Sequence, residues 1–149
     1  MKVLIENRQR LIKINLRRLK RDSLALLTAF HLNKAELGIL LVSDRQMKRL
    51  NFLYRSLNTP TDVLSFPLYE QRGEIPDDRE SLVGDIVINL NAAARQSSLY
   101  GLTSYNEVRR LLIHGFLHLL GYDHERNPYQ QKKMRRQESD LRKALEALD

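Results

Sequence analysis

The length, 149 residues and 17.5 kDa, suits one domain with its own core, and a composition of 42% hydrophobic and 29% charged residues excludes general disorder. The absence of cysteine removes disulfides, thiolate metal ligands and thiol catalysis together, and no stretch forms a signal peptide or nears the ~20 apolar residues of a membrane span, so a cytoplasmic location is expected. The net charge of +7 points to polyanionic partners and is concentrated over residues 1–30, where eight Lys or Arg stand against Glu6 and Asp22.

In chain order, Val3-Leu4-Ile5 within Lys2 to Glu6 reads as a short strand. From Gln9 to Phe30 the residues Leu11, Ile12, Leu16, Leu19, Leu24, Leu26 and Leu27 recur at helical intervals between basic residues, which predicts one long amphipathic helix or two short ones. Basic residues on a solvated helix face give this pattern without any partner. Leu37 to Val42 suits a buried strand, with Ser43 or Asp44 capping a helix that runs to Leu57. Asn58 to Asp62 is a turn-forming cluster, Val63 to Phe66 a strand stopped by Pro67, and the acidic run from Tyr69 to Ser81 a surface loop. Gly84 to Leu90 reads as a further strand and Asn91 to Tyr100 as a polar helix broken by Gly101.

Thr103 or Ser104 can cap the next helix, and Glu107 suggests a capping box with Ser104. That helix, Asn106 to Leu120, is apolar almost all round and is expected to run through the centre of the domain. Pro128 opens a last, highly charged helix to Leu148. These elements predict an α+β fold: a single domain over residues 1–149, a mixed sheet of about four strands and about five to six helices, the metal-site helix central. Strand order is not readable from such patterns.

Three of the four histidines fall within residues 114–124. His114 and His118 are four apart, so on a helix both imidazoles share one face, rotated by only ~40°. Gly121 permits a left-handed helix end that swings the chain back and brings His124 to the pair. Three imidazole nitrogens around one Zn²⁺ leave a fourth position for water, the catalytic pattern. The His-x-x-x-His-x-x-Gly-x-x-His spacing is that of metzincin proteases, but the residue after the first histidine, their general-base glutamate, is Gly115 here, and glycine can neither take nor give a proton. His31, alone after Phe30 at a helix end, reads as structural.

Residues 114–124, Asn58-Thr59-Pro60-Thr61-Asp62-Val63-Leu64-Ser65-Phe66-Pro67 and Leu82-Val83-Gly84-Asp85-Ile86-Val87-Ile88 together resemble the YbeY family of bacterial rRNA-maturation metalloproteins. The resemblance implies a zinc-dependent, single-strand-specific endoribonuclease acting in 16S rRNA 3′-end maturation and ribosome quality control, with one zinc per chain held by His114, His118 and His124. It also implies that Arg55, in the helix before the Asn-x-Pro-Thr-Asp block, faces the metal cleft. A guanidinium there grips phosphate bidentately and stabilises charge developing at phosphorus. Single-stranded RNA of the small ribosomal subunit is the implied partner; oligomeric state is not readable.

Asp123 is placed to orient a ligand. Asp85 and Asp62 read at least as well as turn or cap residues. Two other functions fit parts of the pattern: a non-catalytic RNA-binding ribosome-assembly factor with structural zinc, and a zinc-dependent peptide hydrolase, against which Gly115 counts.

Overall fold

The structure is a computed structural model and describes residues 1–69, 81–123 and 127–149. The acidic run read as a surface loop falls almost wholly at residues 70–80, and His124 at the second break; both lie outside the described residues.

Among the described residues four strands and five helices follow in the order β1 (Lys2–Asn7), α1 (Leu16–Ala29), β2 (Ala35–Val42), α2 (Asp44–Arg55), β3 (Val63–Pro67), β4 (Ser81–Asn89), α3 (Leu90–Tyr100), α4 (Ser104–Leu119) and α5 (Pro128–Glu146). The α+β class, the four-stranded mixed sheet and the helix count agree with the pattern of the sequence. The sheet runs β1-β2-β4-β3, with β1/β2 and β2/β4 parallel and β3 antiparallel on the edge beside β4.

Alternation along the strands divides the apolar residues between two faces. Leu37, Ile39 and Leu41 of β2 and Ile86 and Ile88 of β4 join the main core under α1 and α4, with Leu26, Leu112, Phe116 and Leu117. The opposite face carries a smaller cluster of Val42, Leu64 and Val87 around Met47 of α2. Helix α4 packs against β3, β4 and three other helices, which places it centrally and explains why its apolar residues run almost all round.

Two local readings need correction. The first helix does not begin near Gln9: residues 8–15 precede it, and Asn15 caps α1 by accepting from the Arg18 N–H. The Gln9 side chain holds that stretch non-helical by bonding both the N–H and the carbonyl of Ile12, while Leu11 stays 87% exposed. At α4 the cap is Thr103, accepting from Asn106, so the expected box between Ser104 and Glu107 is replaced by a Glu107–Arg110 ion pair.

The basic N-terminal segment is also partly committed to ion pairs within the chain. Arg18 and Arg21 both reach the Asp149 carboxylate at 2.6 Å, and Arg21 also pairs with the buried Asp22. Arg10, Lys13, Arg17 and Lys20 remain exposed.

Candidate active site

The helix that carries the histidine pair ends in a Schellman turn. Gly121 takes φ 92°, and the N–H groups of Gly121 and Tyr122 close back on the carbonyls of His118 and Leu117 at 3.1 and 3.0 Å. The left-handed turn expected at Gly121 is therefore present, and it carries Tyr122 and Asp123 back beside the helix.

His114 and His118 converge as the i, i+4 spacing requires, with their Nε2 atoms 3.2 Å apart. They share a cavity of about 480 Å³ with Arg55, Thr61, Asp62, Ser65 and Asp123. Each wall is tied to the scaffold. Asn51 of α2 donates to the Thr59 carbonyl at 2.8 Å, and the Asn89 side chain donates to the Thr61 carbonyl. The Asp62 carbonyl accepts from the Asn89 N–H, and its carboxylate accepts from Gln96. Arg55 sits in the last turn of α2, exposed, so its long side chain is free to follow a ligand.

Gly115 explains how the helix meets the sheet. A Cβ at this position would stand 2.8 Å from Ile86 Cγ2, 3.1 Å from Ser65 Oγ and 3.2 Å from Val63 Cγ2. The Ser65 hydroxyl donates to the Gly115 carbonyl at 2.9 Å across the same seam. A side chain there would force these neighbours to shift, so packing disfavours one at the position that supplies a base in metzincins. Gly115→Ala is expected to destabilise the fold by up to about 2 kcal/mol, the overpacking cost of ~1–3 kcal/mol offset in part by the ~1 kcal/mol gain in helix propensity. Thermal denaturation checks this, and an unchanged or raised Tm refutes it.

Of the carboxylates singled out in the sequence, Asp62 and Asp123 line the cavity and Asp85 does not. Asp85 borders a larger cavity of about 660 Å³, lined also by Gly38, Tyr54 and Phe66 and by neither His114 nor His118. His31 is exposed at φ 57°, occupying the left-handed position just past the end of α1. Sequence reasoning missed Ser65, which looked like part of an ordinary strand, and Glu138. The Glu138 carboxylate of α5 stands 3.6 Å from His114 Nδ1. No motif marks Glu138, and only tertiary packing brings α5 to this histidine.

The donor set suits a tetrahedral ion. Two nitrogens each ~2.0–2.1 Å from one tetrahedral centre stand about 3.3–3.4 Å apart, close to the observed 3.2 Å. Among the described residues no group of three His, Cys, Asp or Glu gathers to hold a metal, and the third expected ligand, His124, lies outside them.

The sequence profile described as Endoribonuclease YbeY matches residues 4–146. Among similar proteins, the Endoribonuclease YbeY of Aquifex aeolicus (strain VF5) is 39% identical over 144 residues, covering 91% of this chain and 93% of that one. That of Anaeromyxobacter sp. (strain Fw109-5) is 45% identical over 128 residues, covering 86% of this chain but 64% of the relative. The solution structure of TM1509 from Thermotoga maritima superimposes with a TM-score of 0.68 at 24% identity, over 97% of this chain and 89% of that one, a likeness of fold. The chain belongs to the Endoribonuclease YbeY family.

Proposed function

We propose that this protein is a zinc-dependent endoribonuclease that cleaves single-stranded RNA in rRNA processing. Family membership supports the endoribonuclease activity. The finer assignment is 16S rRNA 3′-end maturation and ribosome quality control in the cytoplasm, on RNA of the small ribosomal subunit, by one domain spanning residues 1–149. In this reading His114, His118 and His124 hold one zinc ion and Arg55 binds the phosphate. The single observation that carries it is the convergence of two imidazole Nε2 atoms in a cavity that also holds Arg55. Among the described residues no helix is long and apolar enough to cross a membrane.

Zinc, held by His114, His118 and His124, would supply Lewis acidity to the cavity. The chain's own groups do the rest. Arg55 offers a planar pair of N–H donors to the non-bridging oxygens and neutralises charge as it develops at phosphorus. The Thr61–Ser65 wall confines the strand beside the helix. Gly115 contributes no base, so the protein groups in the cavity that could take a proton from the nucleophile are the carboxylates of Asp62 and Asp123. The packing around Gly115 disfavours a peptide hydrolase of metzincin type, whose glutamate would force its neighbours to shift.

Metal analysis of the purified protein tests the reading: about one zinc per chain is expected, and chelation should abolish cleavage of a single-stranded RNA until zinc is returned. Metal-free protein with full activity overturns it. Arg55→Ala separates the enzyme from an assembly factor that docks through Arg10, Lys13, Arg17 and Lys20. The variant is expected to lose about 10²–10³-fold in kcat, as for removal of one donor at developing charge, while its RNA affinity changes only a few-fold. Unchanged cleavage excludes Arg55 from the chemistry. Measurable binding without cleavage in the wild type favours the assembly factor.

A further inference from the structure

We infer that Glu138 is the positioning residue of His114, its carboxylate selecting the tautomer that presents Nε2 to the cavity; the inference rests on the metal reading of the histidine pair. The two ring nitrogens of His114 face different elements. Nε2 points at His118 Nε2 across 3.2 Å, and Nδ1 points toward Glu138 Oε2 on α5 at 3.6 Å.

A neutral imidazole carries its proton on one nitrogen and its lone pair on the other. A carboxylate beside Nδ1 favours the proton there, which puts the lone pair on Nε2, on the side where the histidines converge. Carboxylate–histidine–metal arrangements work in this way, fixing ring orientation and raising ligand basicity. At 3.6 Å the pair is an ion-range contact rather than a hydrogen bond, and a shift of under an ångström closes it.

The surroundings of Glu138 argue against an ordinary surface role. Arg135 and Arg142 lie three residues before it and four after it on α5, and with Arg110 they line the same groove of about 230 Å³ between α4 and α5. A carboxylate so placed has ready partners at helical spacing. Arg110 pairs instead with Glu107, and Arg142 with Glu146. Among the described residues, the cationic or ionisable group that the Glu138 carboxylate approaches within 4 Å is His114, and each of the two side chains is only about one quarter exposed. Glu138 is thus turned from the arginines on its own helix toward a ring on the neighbouring one.

Glu138→Ala and Glu138→Gln, compared with wild type, test the assignment. In metal-free protein, ¹⁵N–¹H correlation spectra of the imidazoles are expected to show His114 as the Nδ1–H tautomer in wild type and shifted toward the other tautomer in Glu138→Ala. Zinc affinity, measured by competition with a chromogenic chelator, should fall about 10–100-fold in Glu138→Ala. The loss should be smaller in Glu138→Gln, which keeps an acceptor oxygen. The absorption bands of bound Co²⁺ should shift in the same order. An unchanged tautomer and unchanged zinc affinity in Glu138→Ala overturn the inference while leaving the metal reading intact. A wild type that binds no zinc removes the metal reading, and the inference with it. A fall in zinc affinity matched by equal loss of metal-free Tm in both variants, with the tautomer unmoved, assigns Glu138 to folding alone.

Discussion

Replacing His118 by alanine is expected to strip the purified protein of its metal and to lower cleavage of single-stranded RNA below about one-thousandth of the wild-type rate. The magnitude follows from losing Lewis-acid stabilisation worth several kcal/mol, since ~4 kcal/mol corresponds to about three decades in rate. The fold should survive. His118 is only partly buried at the cavity edge, and α4 is anchored by Leu111, Leu112, Phe116 and Leu117 on its other sides. Alanine is also the better helix former. A rival account of the 3.2 Å contact is a hydrogen bond between two imidazoles, one donating and one accepting. In that case the substitution costs only ~1 kcal/mol of stability and leaves metal content and cleavage unaltered. Metal analysis, circular dichroism and cleavage on one preparation separate the accounts, and cleavage near the wild-type rate sinks the metal reading.

The histidine pair was legible because i, i+4 is a local relation, fixed once the helix is fixed. The turn at Gly121 was legible for a similar reason: a helix end that needs positive φ favours glycine. Where tertiary contacts decide, the pattern gave less. The apolar spacing of Leu11 and Ile12 matched a helix, yet Gln9 engages Ile12 and Leu11 meets solvent. Strand order depended on how the strands before and after α2 and β3 pair, which no local period reports. Gly115 could be read as a missing base, but its tight seat on Ile86 and Ser65 required the packed sheet. Arg18 and Arg21 counted toward a nucleic-acid surface, whereas Arg18 pairs with the exposed Asp149, and Arg21 with Asp149 and the buried Asp22.

Asp22→Ala is expected to destabilise the protein by about 3–5 kcal/mol, the cost of breaking a buried ion pair by deleting one partner. At ~2–4 °C per kcal/mol for a chain of this size, Tm falls by about 6–20 °C. Asp22 is fully buried and Arg109 is 1% exposed, with Nε and carboxylate 3.0 Å apart. The Tyr105 hydroxyl donates to the same carboxylate at 2.6 Å, and Arg109 also reaches Asp149. Removing the carboxylate leaves a buried guanidinium with only the more exposed Asp149, and a phenol without its acceptor. The cost therefore lies in the stranded charge, and Asp22→Ala combined with Arg109→Met should recover much of the loss. The cluster also adds to the pH dependence of stability. Hydrogen bonds from Arg109, Arg18 and Arg21 hold the Asp149 carboxyl far below the usual carboxylate range, so its contribution is present at neutral pH and is lost as pH falls below ~4. Burial and the bond to Asp22 push the Tyr105 phenol well above its usual range, so its contribution is present below pH ~10 and is lost as pH rises beyond it. Thermal scans across pH should show both limbs in the wild type, with the alkaline one weakened in Asp22→Ala. A loss under ~1 kcal/mol at pH 7 would mean that Asp149 alone suffices for Arg109.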